Sequence, residues 1–202
     1  MTLPILLLAA GQSARMRGAD KLLQEIDGAP LLLRQARMAL DVSADVRVAL
    51  PPRPHARYDI LADLPLRRVE VADAAHGMGA SLRTVFATLE PDVKRAMLVL
   101  CDLPDLTAQD LIKVCCAMQD APDALIWRGA TPSGQGGHPM IFDAQLFPAI
   151  SRLCGDAGGA SVVRDAGPRV HHVPFDDNRA RHDLDTPEDW AAWHAARAKR
   201  LT

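Results

Sequence analysis

Short, continuously apolar runs alternate along the chain with segments of helical period, and neither a repeat nor a low-complexity tract interrupts the alternation. Strands that are apolar on both sides are typical of a parallel sheet with helices on both faces. The sequence therefore predicts an α/β fold, a single domain over residues 1–202 built on a mostly parallel, twisted sheet. Seven strands are expected, at residues 3–9, 46–50, 68–71, 97–100, 124–127, 140–142 and 170–173.

Helix signals lie between these runs. Within residues 79–89, apolar positions recur at i, i+3, i+4 and i+7, which predicts a helix with one face in the core. Thr107 followed by Asp110 is typical of a capping box at a helix start. A threonine, a proline and two acids at residues 186–189 predict the start of the C-terminal helix.

The charge balance excludes one class of partner. Lys and Arg number 23 and Asp and Glu number 25, which gives a formal net charge of −2. The basic excess of a duplex-DNA binder is missing, so no nucleic-acid partner is expected. The apolar stretch at residues 3–10 is far shorter than the roughly 20 residues of a membrane span, and no basic region precedes it. We therefore expect a cytoplasmic protein without a membrane partner.

The cysteines do not form a recognisable ligand or disulfide pattern. Cys101, Cys115, Cys116 and Cys154 match no CxxC spacing, and two of them are adjacent. That arrangement suits neither a zinc site nor a disulfide framework. All four are predicted to be reduced core residues.

The loop after the first strand passes through small residues into a cationic stretch, over residues 7–21. Chains bring backbone N–H groups and positive side chains up to phosphate in this way. A Walker loop is excluded because it requires a lysine directly after glycine, whereas Lys21 follows Asp20. A Rossmann G-x-G-x-x-G fingerprint is excluded because Gly11 is followed by Gln12 and Ser13. A solvated surface turn is the alternative interpretation of the same residues.

An ordered set of residues in this loop resembles the LAAGxSxRMGxxK signature of MobA-like nucleotidyltransferases, and among them the molybdenum cofactor cytidylyltransferases. The matching residues are Ala9, Ala10, Gly11, Ser13, Arg15, Met16, Gly18 and Lys21, with one residue more than usual before the lysine. The resemblance spans most of the chain and implies a Rossmann-like nucleotidyltransferase fold. It implies nucleotide contacts by Leu8, Ala9, Ala10, Gly11, Ser13, Arg15 and Lys21. Arg15 and Lys21 would be catalytic, because cations stabilise the charge that grows on departing pyrophosphate.

Carboxylates in two segments are candidate metal ligands. Asp102 follows the predicted strand at 97–100, at the sheet edge where ligands bind in open α/β folds. It resembles the aspartate of the family's D-x-P motif, which holds Mg²⁺ against nucleotide phosphates, so it is expected to be catalytic and to bind metal and nucleotide. Residues 183–189 resemble the family's D-I-D-T-P-E-D segment, where Asp185 is preferred over Asp183 as a second ligand. In the alternative interpretation both acids only flank a helix start.

A second nucleotide-binding segment is expected near the predicted helix at 79–89. Residues 76–82 resemble the family's G-M-S-x-S-L segment, in which Gly77, Gly79 and Ser81 would approach the base or ribose. A loop capped by Ser81 explains the same residues without a ligand.

Acceptor contacts are expected from two further segments. His138 and Pro139 belong to a stretch that resembles the family's G-H-P-V-L-F motif, which lines the side that receives the second substrate. Asp156 belongs to a stretch that resembles the family's G-D-x-G-A-R segment but lacks its cationic residues. Arg164 or another basic residue must therefore replace them if the acceptor is anionic.

The resemblance implies transfer of a nucleoside monophosphate, CMP from CTP, to the phosphate of molybdopterin or the molybdenum cofactor, with release of pyrophosphate. Mg²⁺ is the implied cofactor, and a molybdoenzyme client is a candidate partner. A phosphate nucleophile is already anionic near neutral pH, so no strong general base is required. Ala10 resembles the cytidylyl branch, whereas guanylyl relatives tend to carry glycine there.

Two alternatives stay open beside this reaction. One is a related nucleotidyltransferase that uses GTP or another phosphorylated acceptor. The other is a noncatalytic module that hands over the molybdenum cofactor as a chaperone. A dinucleotide-dependent oxidoreductase is a distant third possibility, because its glycine fingerprint is absent.

Overall fold

A computed structural model describes residues 3–155 and 158–201 of the chain. Seven strands form one sheet in the order β5-β4-β1-β6-β8-β7-β9, and two short strands, β2 and β3, form a separate antiparallel ribbon. The strands are β1 (Ile5–Leu8), β2 (Glu25–Ile26), β3 (Ala29–Pro30), β4 (Val46–Leu50), β5 (Arg67–Glu70), β6 (Arg95–Leu100), β7 (Ile126–Ala130), β8 (Gly136–Asp143) and β9 (Val170–Pro174). All seven predicted strands are present.

The sheet is mostly parallel, as predicted. β1 pairs parallel with β4 and with β6, β4 with β5, and β7 with β9. β8 is antiparallel to both of its neighbours, β6 and β7. This strand begins at Gly136 rather than at the predicted residue 140, because its first residues are glycines without an apolar pattern.

In the described part of the chain, seven α-helices cover both faces of the sheet. They are α1 (Leu31–Leu40), α2 (Arg57–Ile60), α3 (Met78–Phe86), α4 (Ala108–Asp120), α5 (Phe147–Ile150), α6 (Ala160–Ala166) and α7 (Pro187–Leu201). α1, α4 and α7 contribute to one core cluster, and α3, α5 and α6 to the other. Across residues 3–155 and 158–201, no helix has the length and apolar character needed to cross a membrane.

Alternation along the central strand explains the two cores. Ile5 and Leu7 of β1 pack into the first cluster, and Leu6 and Leu8 into the second. Successive side chains of a strand point to opposite faces, so a strand covered on both sides must be apolar throughout. The continuous apolar run at the start of the sequence is the signature of this central position.

Helix starts follow the predicted caps. Thr107 and Asp110 form a reciprocal capping box at the start of α4. The Thr186 hydroxyl donates a hydrogen bond to Asp189 Oδ2 at 2.7 Å and accepts one from the Asp189 amide at 3.1 Å at the start of α7. α3 ends at Phe86, three residues before the predicted end at residue 89.

The cysteine prediction is only partly correct. Cys101 is buried and Cys115 is half-buried, but Cys116 and Cys154 are exposed, so these two are not core residues. Cys116 follows Cys115 on α4, and one residue along a helix rotates the side chain by about 100° away from the buried face. All four are free thiols.

The segment that connects β9 to α7, residues 175–186, packs against β8 at Gly137 and is called the return segment below. A Cβ atom at Gly137 would lie 2.6 Å from the carbonyl carbon of Ala180, so only glycine allows this approach. The Leu184 amide then donates a hydrogen bond to the carbonyl of Asp102 at 3.1 Å. The return segment is thereby held beside the carboxyl end of β6.

We predict that Gly137→Ala lowers the free energy of unfolding by roughly 1–3 kcal/mol, because the added methyl group collides with backbone atoms that cannot yield cheaply. Gly159→Ala is the matched control, since a Cβ there meets only Leu82 and Phe142 side-chain atoms at 3.9–4.0 Å. Denaturant unfolding of both variants measures the difference. Equal stability of the two variants would contradict the tight docking at Gly137.

Candidate functional site

A cavity of about 360 Å³ opens at the carboxyl ends of β1 and β6, between the loop after β1 and the start of α3. Its lining includes most residues expected to contact nucleotide: Leu8, Ala9, Ala10, Gly11, Lys21, Gly77, Ser81 and Asp102. The lining residues that sequence reasoning missed are Gln12, Leu22, Ala74, Ala75, Met78 and Leu100. Met78 is a large apolar side chain that is 43% exposed, and it lies inside the segment 76–82 that the motif had already marked.

Three expected nucleotide contacts, Ser13, Arg15 and Gly79, do not line this cavity. A Cβ atom at Gly79 would lie 2.9 Å from the carbonyl oxygen of Gly155. The glycine therefore permits close packing of α3 against that loop, and its placement does not support the expected approach to nucleotide. The Ser13 hydroxyl and the Arg15 guanidinium are engaged by neighbouring acids.

A buried arginine that sequence reasoning missed holds the loop after β1. The Arg57 guanidinium donates hydrogen bonds to the carbonyl oxygens of Ala9 at 2.6 Å and Gly11 at 2.8 Å, and to both carboxylate oxygens of Asp20 at 2.6 and 2.7 Å. Burial alone would raise the pKa of Asp20, but the hydrogen bond and charge of Arg57 outweigh it and lower the pKa. Arg57 begins α2 in a proline-rich stretch without a motif, so no local signal identified it.

The rest of the loop is closed by short-range contacts. The Ser13 hydroxyl donates to Asp20 Oδ1 at 3.3 Å and accepts a hydrogen bond from the Lys21 amide at 3.2 Å. Arg17 and Gly18 adopt the left-handed conformation, with φ of 52° and 93°. This turn lies where the sequence has its additional residue, so the extra length is absorbed there and Lys21 still reaches the cavity.

The same loop offers unpaired backbone donors to the cavity. In the described part of the chain, the amide groups of Ala10, Gly11 and Gln12 form no hydrogen bond. Successive free N–H groups at the end of a strand make a concave anion-binding surface. Because Arg57 holds the carbonyl groups on the other side of the loop, these amides are left for a ligand.

Lys21 joins the two carboxylates that were expected to hold metal. Its Nζ atom lies 2.6 Å from Asp102 Oδ2 and 2.6 Å from Asp185 Oδ1. Arg15 approaches Asp185 Oδ2 at 2.5 Å from the solvent side. Burial lowers the pKa of Lys21, but the charges of Asp102 and Asp185 outweigh it, so the pKa is raised and the ammonium form is favoured.

Asp183 lies beside this group and behaves differently from Asp185. Burial raises the pKa of Asp183, and the charges of Asp102 and Asp185 raise it further. Burial would also raise the pKa of Asp185, but the hydrogen bond and charge of Lys21 and the charge of Arg15 lower it overall. Of Asp183 and Asp185, Asp185 therefore ionises more readily.

The donor set fits a hard divalent cation. Asp102 Oδ1 is buried without a hydrogen-bond partner, while the other oxygen of that carboxylate accepts from Lys21. Ionised carboxylate oxygens are the ligands that Mg²⁺ prefers in proteins, and phosphate oxygens and water commonly complete its octahedral shell. Among the described residues no group of three or more His, Cys, Asp or Glu side chains is arranged to hold a metal, so the fit depends on Asp102, Asp185 and a bound nucleotide.

The residues expected to meet the acceptor lie on β8 and beyond it. His138 Nδ1 is buried without a hydrogen-bond partner, and burial together with the charge of Arg128 lowers the pKa of His138 to about 4. The imidazole is therefore neutral at pH 7. Pro139 is buried next to it. Asp156 falls outside the described residues, and Arg164 is exposed on α6.

Comparison with known proteins extends over almost the whole chain. Residues 5–173 match the MobA-like NTP transferase domain. A molybdenum cofactor guanylyltransferase from Burkholderia ambifaria is 38% identical over 205 residues, which cover 96% of this chain and 95% of that protein. A probable molybdenum cofactor guanylyltransferase from Synechococcus elongatus is 28% identical over 197 residues, covering 95% and 98%.

The fold agrees with these sequence matches. A solved structure from Mycobacterium sp. strain JC1, of a homologue of Mycobacterium tuberculosis Rv0371c, has a TM-score of 0.81 at 26% identity and covers 99% of this chain and 98% of its own. The domain match runs from the first residue of β1 into β9, and so includes every strand of the main sheet. The family expected from the loop signature is thus confirmed, and the chain belongs to the MobA-like NTP transferase family.

Proposed function

We propose that this protein transfers a nucleoside monophosphate from a nucleoside triphosphate to the terminal phosphate of molybdopterin or the molybdenum cofactor, releasing pyrophosphate. One observation carries the proposal: Lys21 and Asp102 line the cavity together with the loop after β1, and Asp185 contacts the same Lys21 ammonium group. The names of the Burkholderia and Synechococcus relatives support the molybdenum cofactor as the acceptor.

The loop after β1 would bind the triphosphate. The free amides of Ala10, Gly11 and Gln12 can donate to phosphate oxygens, and the Arg57 contacts keep them oriented without a ligand-induced change. Lys21 and Arg15 would neutralise the charge that develops on pyrophosphate as it departs. Both already lie within one loop, so binding and leaving-group stabilisation come from the same element.

Asp102 and Asp185 would hold Mg²⁺ against the phosphates. The ion would polarise the α-phosphate and neutralise its charge. The acceptor phosphate is anionic and attacks without a general base, so the neutral His138 need not accept a proton. Catalysis by this chain would therefore consist of positioning and charge neutralisation.

The proposed nucleotide is CTP. Ala10 lines the cavity and is 2% exposed, and its methyl group leaves less space than a glycine would. The resemblance of Ala10 to the cytidylyl branch of the family supports this choice. GTP is the second candidate, because the relatives at 38% and 28% identity are named guanylyltransferases. A noncatalytic chaperone would bind the cofactor without forming a nucleotide adduct.

The reaction is tested by incubating the purified protein with molybdopterin, Mg²⁺ and each of the four nucleoside triphosphates, followed by mass spectrometry and pyrophosphate measurement. We expect a CMP adduct in preference to a GMP adduct. Ala10→Gly should shift the product ratio toward GMP, because removal of the methyl group enlarges the cavity where we propose that the nucleobase binds. If the unchanged protein forms mainly a GMP adduct, its substrate is GTP and not CTP. If no pyrophosphate is released with any of the four nucleotides, the protein does not catalyse transfer to this acceptor.

We predict that Asp102→Asn lowers maximal turnover by about 100-fold or more and raises the Mg²⁺ concentration needed for half-maximal rate, because the amide keeps the shape but loses the charge that attracts the cation. A Mg²⁺ titration of nucleotidyl transfer measures both effects. Asp63→Asn, at an exposed position away from the cavity, is the control. Unchanged Mg²⁺ dependence and rate in Asp102→Asn would move the metal to Asp183 or Asp185.

We predict that Lys21→Met reduces turnover by about 100-fold and lowers the free energy of unfolding by roughly 1–3 kcal/mol, because Asp102 and Asp185 lose their shared ammonium partner. Added Mg²⁺ should raise the melting temperature of this variant more than that of the parent protein, since the freed carboxylates can then share the cation. Lys94→Met, at an exposed site, is the control. If Mg²⁺ stabilised Lys21→Met and the parent protein equally, the carboxylates would not be a cation site.

Arg15→Ala should reduce turnover with a smaller loss of stability than Lys21→Met, because Arg15 is 71% exposed.

A further inference from the structure

The ammonium group of Lys21 lies where a cation shared by two carboxylates would lie. Its Nζ atom is 2.6 Å from Asp102 Oδ2 and 2.6 Å from Asp185 Oδ1, so it contacts one oxygen of each acid. A divalent cation held by two carboxylates also needs at least one oxygen of each, at about 2.0–2.1 Å for Mg²⁺. Lys21 and such an ion therefore compete for the same oxygen atoms.

The other two oxygens of these carboxylates do not offer the ion a position free of Lys21. Arg15 Nη2 contacts Asp185 Oδ2 at 2.5 Å, and Asp102 Oδ1 is buried without a hydrogen-bond partner. An ion that displaced Arg15 alone would still lie beside the Lys21 ammonium group, which would repel it. The ammonium group must therefore leave before both acids can bind an ion without an adjacent like charge.

The side chain of Lys21 can move while its backbone stays in place. The Lys21 amide donates a hydrogen bond to Ser13 Oγ at 3.2 Å. The next amide, of Leu22, donates to Asp20 Oδ1 at 3.0 Å, and Asp20 is held by Arg57. These contacts do not involve the ammonium group, and a lysine side chain is flexible enough to adopt several staggered conformers. A change of partner for Nζ thus requires no rearrangement of the loop.

A new partner for the ammonium group can bind in the cavity that Lys21 lines. The amides of Ala10, Gly11 and Gln12 form no hydrogen bond in the described part of the chain, and these residues line the same cavity. A triphosphate bound to those amides brings several negative charges into the cavity. Because an ammonium group is a compact point charge with three rotatable donors, it can bind phosphate oxygens as well as carboxylate oxygens.

We propose that Lys21 is an exchangeable counter-ion, which holds Asp102 and Asp185 when the cavity contains no nucleotide and moves to the triphosphate when nucleotide binds. The inference rests on the proposed function. The move frees one oxygen of each carboxylate for the divalent cation that accompanies the nucleotide. The cation alone must compete with the ammonium group, and nucleotide alone must draw that group away from two carboxylates. Nucleotide and cation therefore bind cooperatively, each favouring the other.

Metal binding without nucleotide tests the competition directly. Mn²⁺, which like Mg²⁺ binds well to carboxylate oxygens, is titrated and its unbound fraction followed by electron paramagnetic resonance. Lys21→Met should bind Mn²⁺ about tenfold or more tightly than the parent protein, because the ammonium group no longer competes. Lys21→Arg keeps a cation at this position and should bind Mn²⁺ no more tightly than the parent.

Arg15→Met is the matched control for the loss of one positive charge. Arg15 also contacts Asp185, but it does so from the solvent side and is 71% exposed. Its removal should tighten Mn²⁺ binding less than about threefold, because solvent already screens its charge. Equal tightening in the two methionine variants, or no tightening in Lys21→Met, would overturn the inference.

Nucleotide binding without metal tests the exchange and does not require a lysine variant. CTP and GTP are each titrated in the presence of EDTA. Asp102→Asn and Asp185→Asn should each bind nucleotide about threefold or more tightly than the parent, because a neutral amide releases the ammonium group more readily than a carboxylate does. Asp63→Asn, at an exposed position, is the control. Equal or weaker binding by either site variant would contradict the exchange.

A double-mutant comparison separates release of Lys21 from simple repulsion between carboxylate and phosphate. In the Lys21→Met background, Asp102→Asn should tighten metal-free nucleotide binding less than it does in the parent, because no ammonium group is left to release. A gain of the same size in both backgrounds would assign the effect to repulsion and overturn the exchange.

The two kinds of titration also separate this inference from the proposed function. If neither nucleotide binds the parent protein with or without Mg²⁺, the proposed function is wrong, and the Mn²⁺ titrations still decide whether Lys21 competes with the cation. If nucleotide binds the parent, but Mn²⁺ binds the parent and Lys21→Met equally, the proposed function stands and the exchange is wrong.

Discussion

The buried ion pair between Arg57 and Asp20 is the interaction on which the rest of the site depends. A buried charge is costly unless it is paired and hydrogen-bonded, and removing one partner exposes the full cost of the other. Arg57 meets this condition through Asp20 and the carbonyl groups of Ala9 and Gly11. The loop after β1 is thereby fixed at its beginning and near its end, and Lys21 leaves it at a defined point.

The strands and most of the residues that line the cavity could be predicted from the sequence because their signals are local. Apolar runs mark doubly covered strands, and the glycine loop and Asp102 follow two strands that lie side by side. The role of Arg57 in holding the loop after β1 could not be predicted, because it depends on a contact with Asp20, 37 residues earlier in the chain. The packing of Gly79 against Gly155 could not be predicted for a related reason, because Gly155 is distant in sequence.

The convergence of charges at the cavity also exceeds what a motif can state. The sequence predicted Lys21, Asp102 and Asp185 separately, as a candidate phosphate ligand and two candidate metal ligands. It contained no indication that the ammonium group contacts both carboxylates, across separations of 81 and 164 residues. The contact follows from the parallel order of β1 and β6 and from the docking of the return segment on Gly137.

That return segment has a consequence for how such a protein can diverge. The sheet is complete at Pro174, yet Arg181, Asp183 and Asp185 all follow it and share one short stretch before α7. An insertion, deletion or shift of a single residue in this stretch moves all three side chains together. The docking of this segment on β8 and the position of its two carboxylates beside Asp102 are therefore coupled, and a change in its length must accommodate both at once.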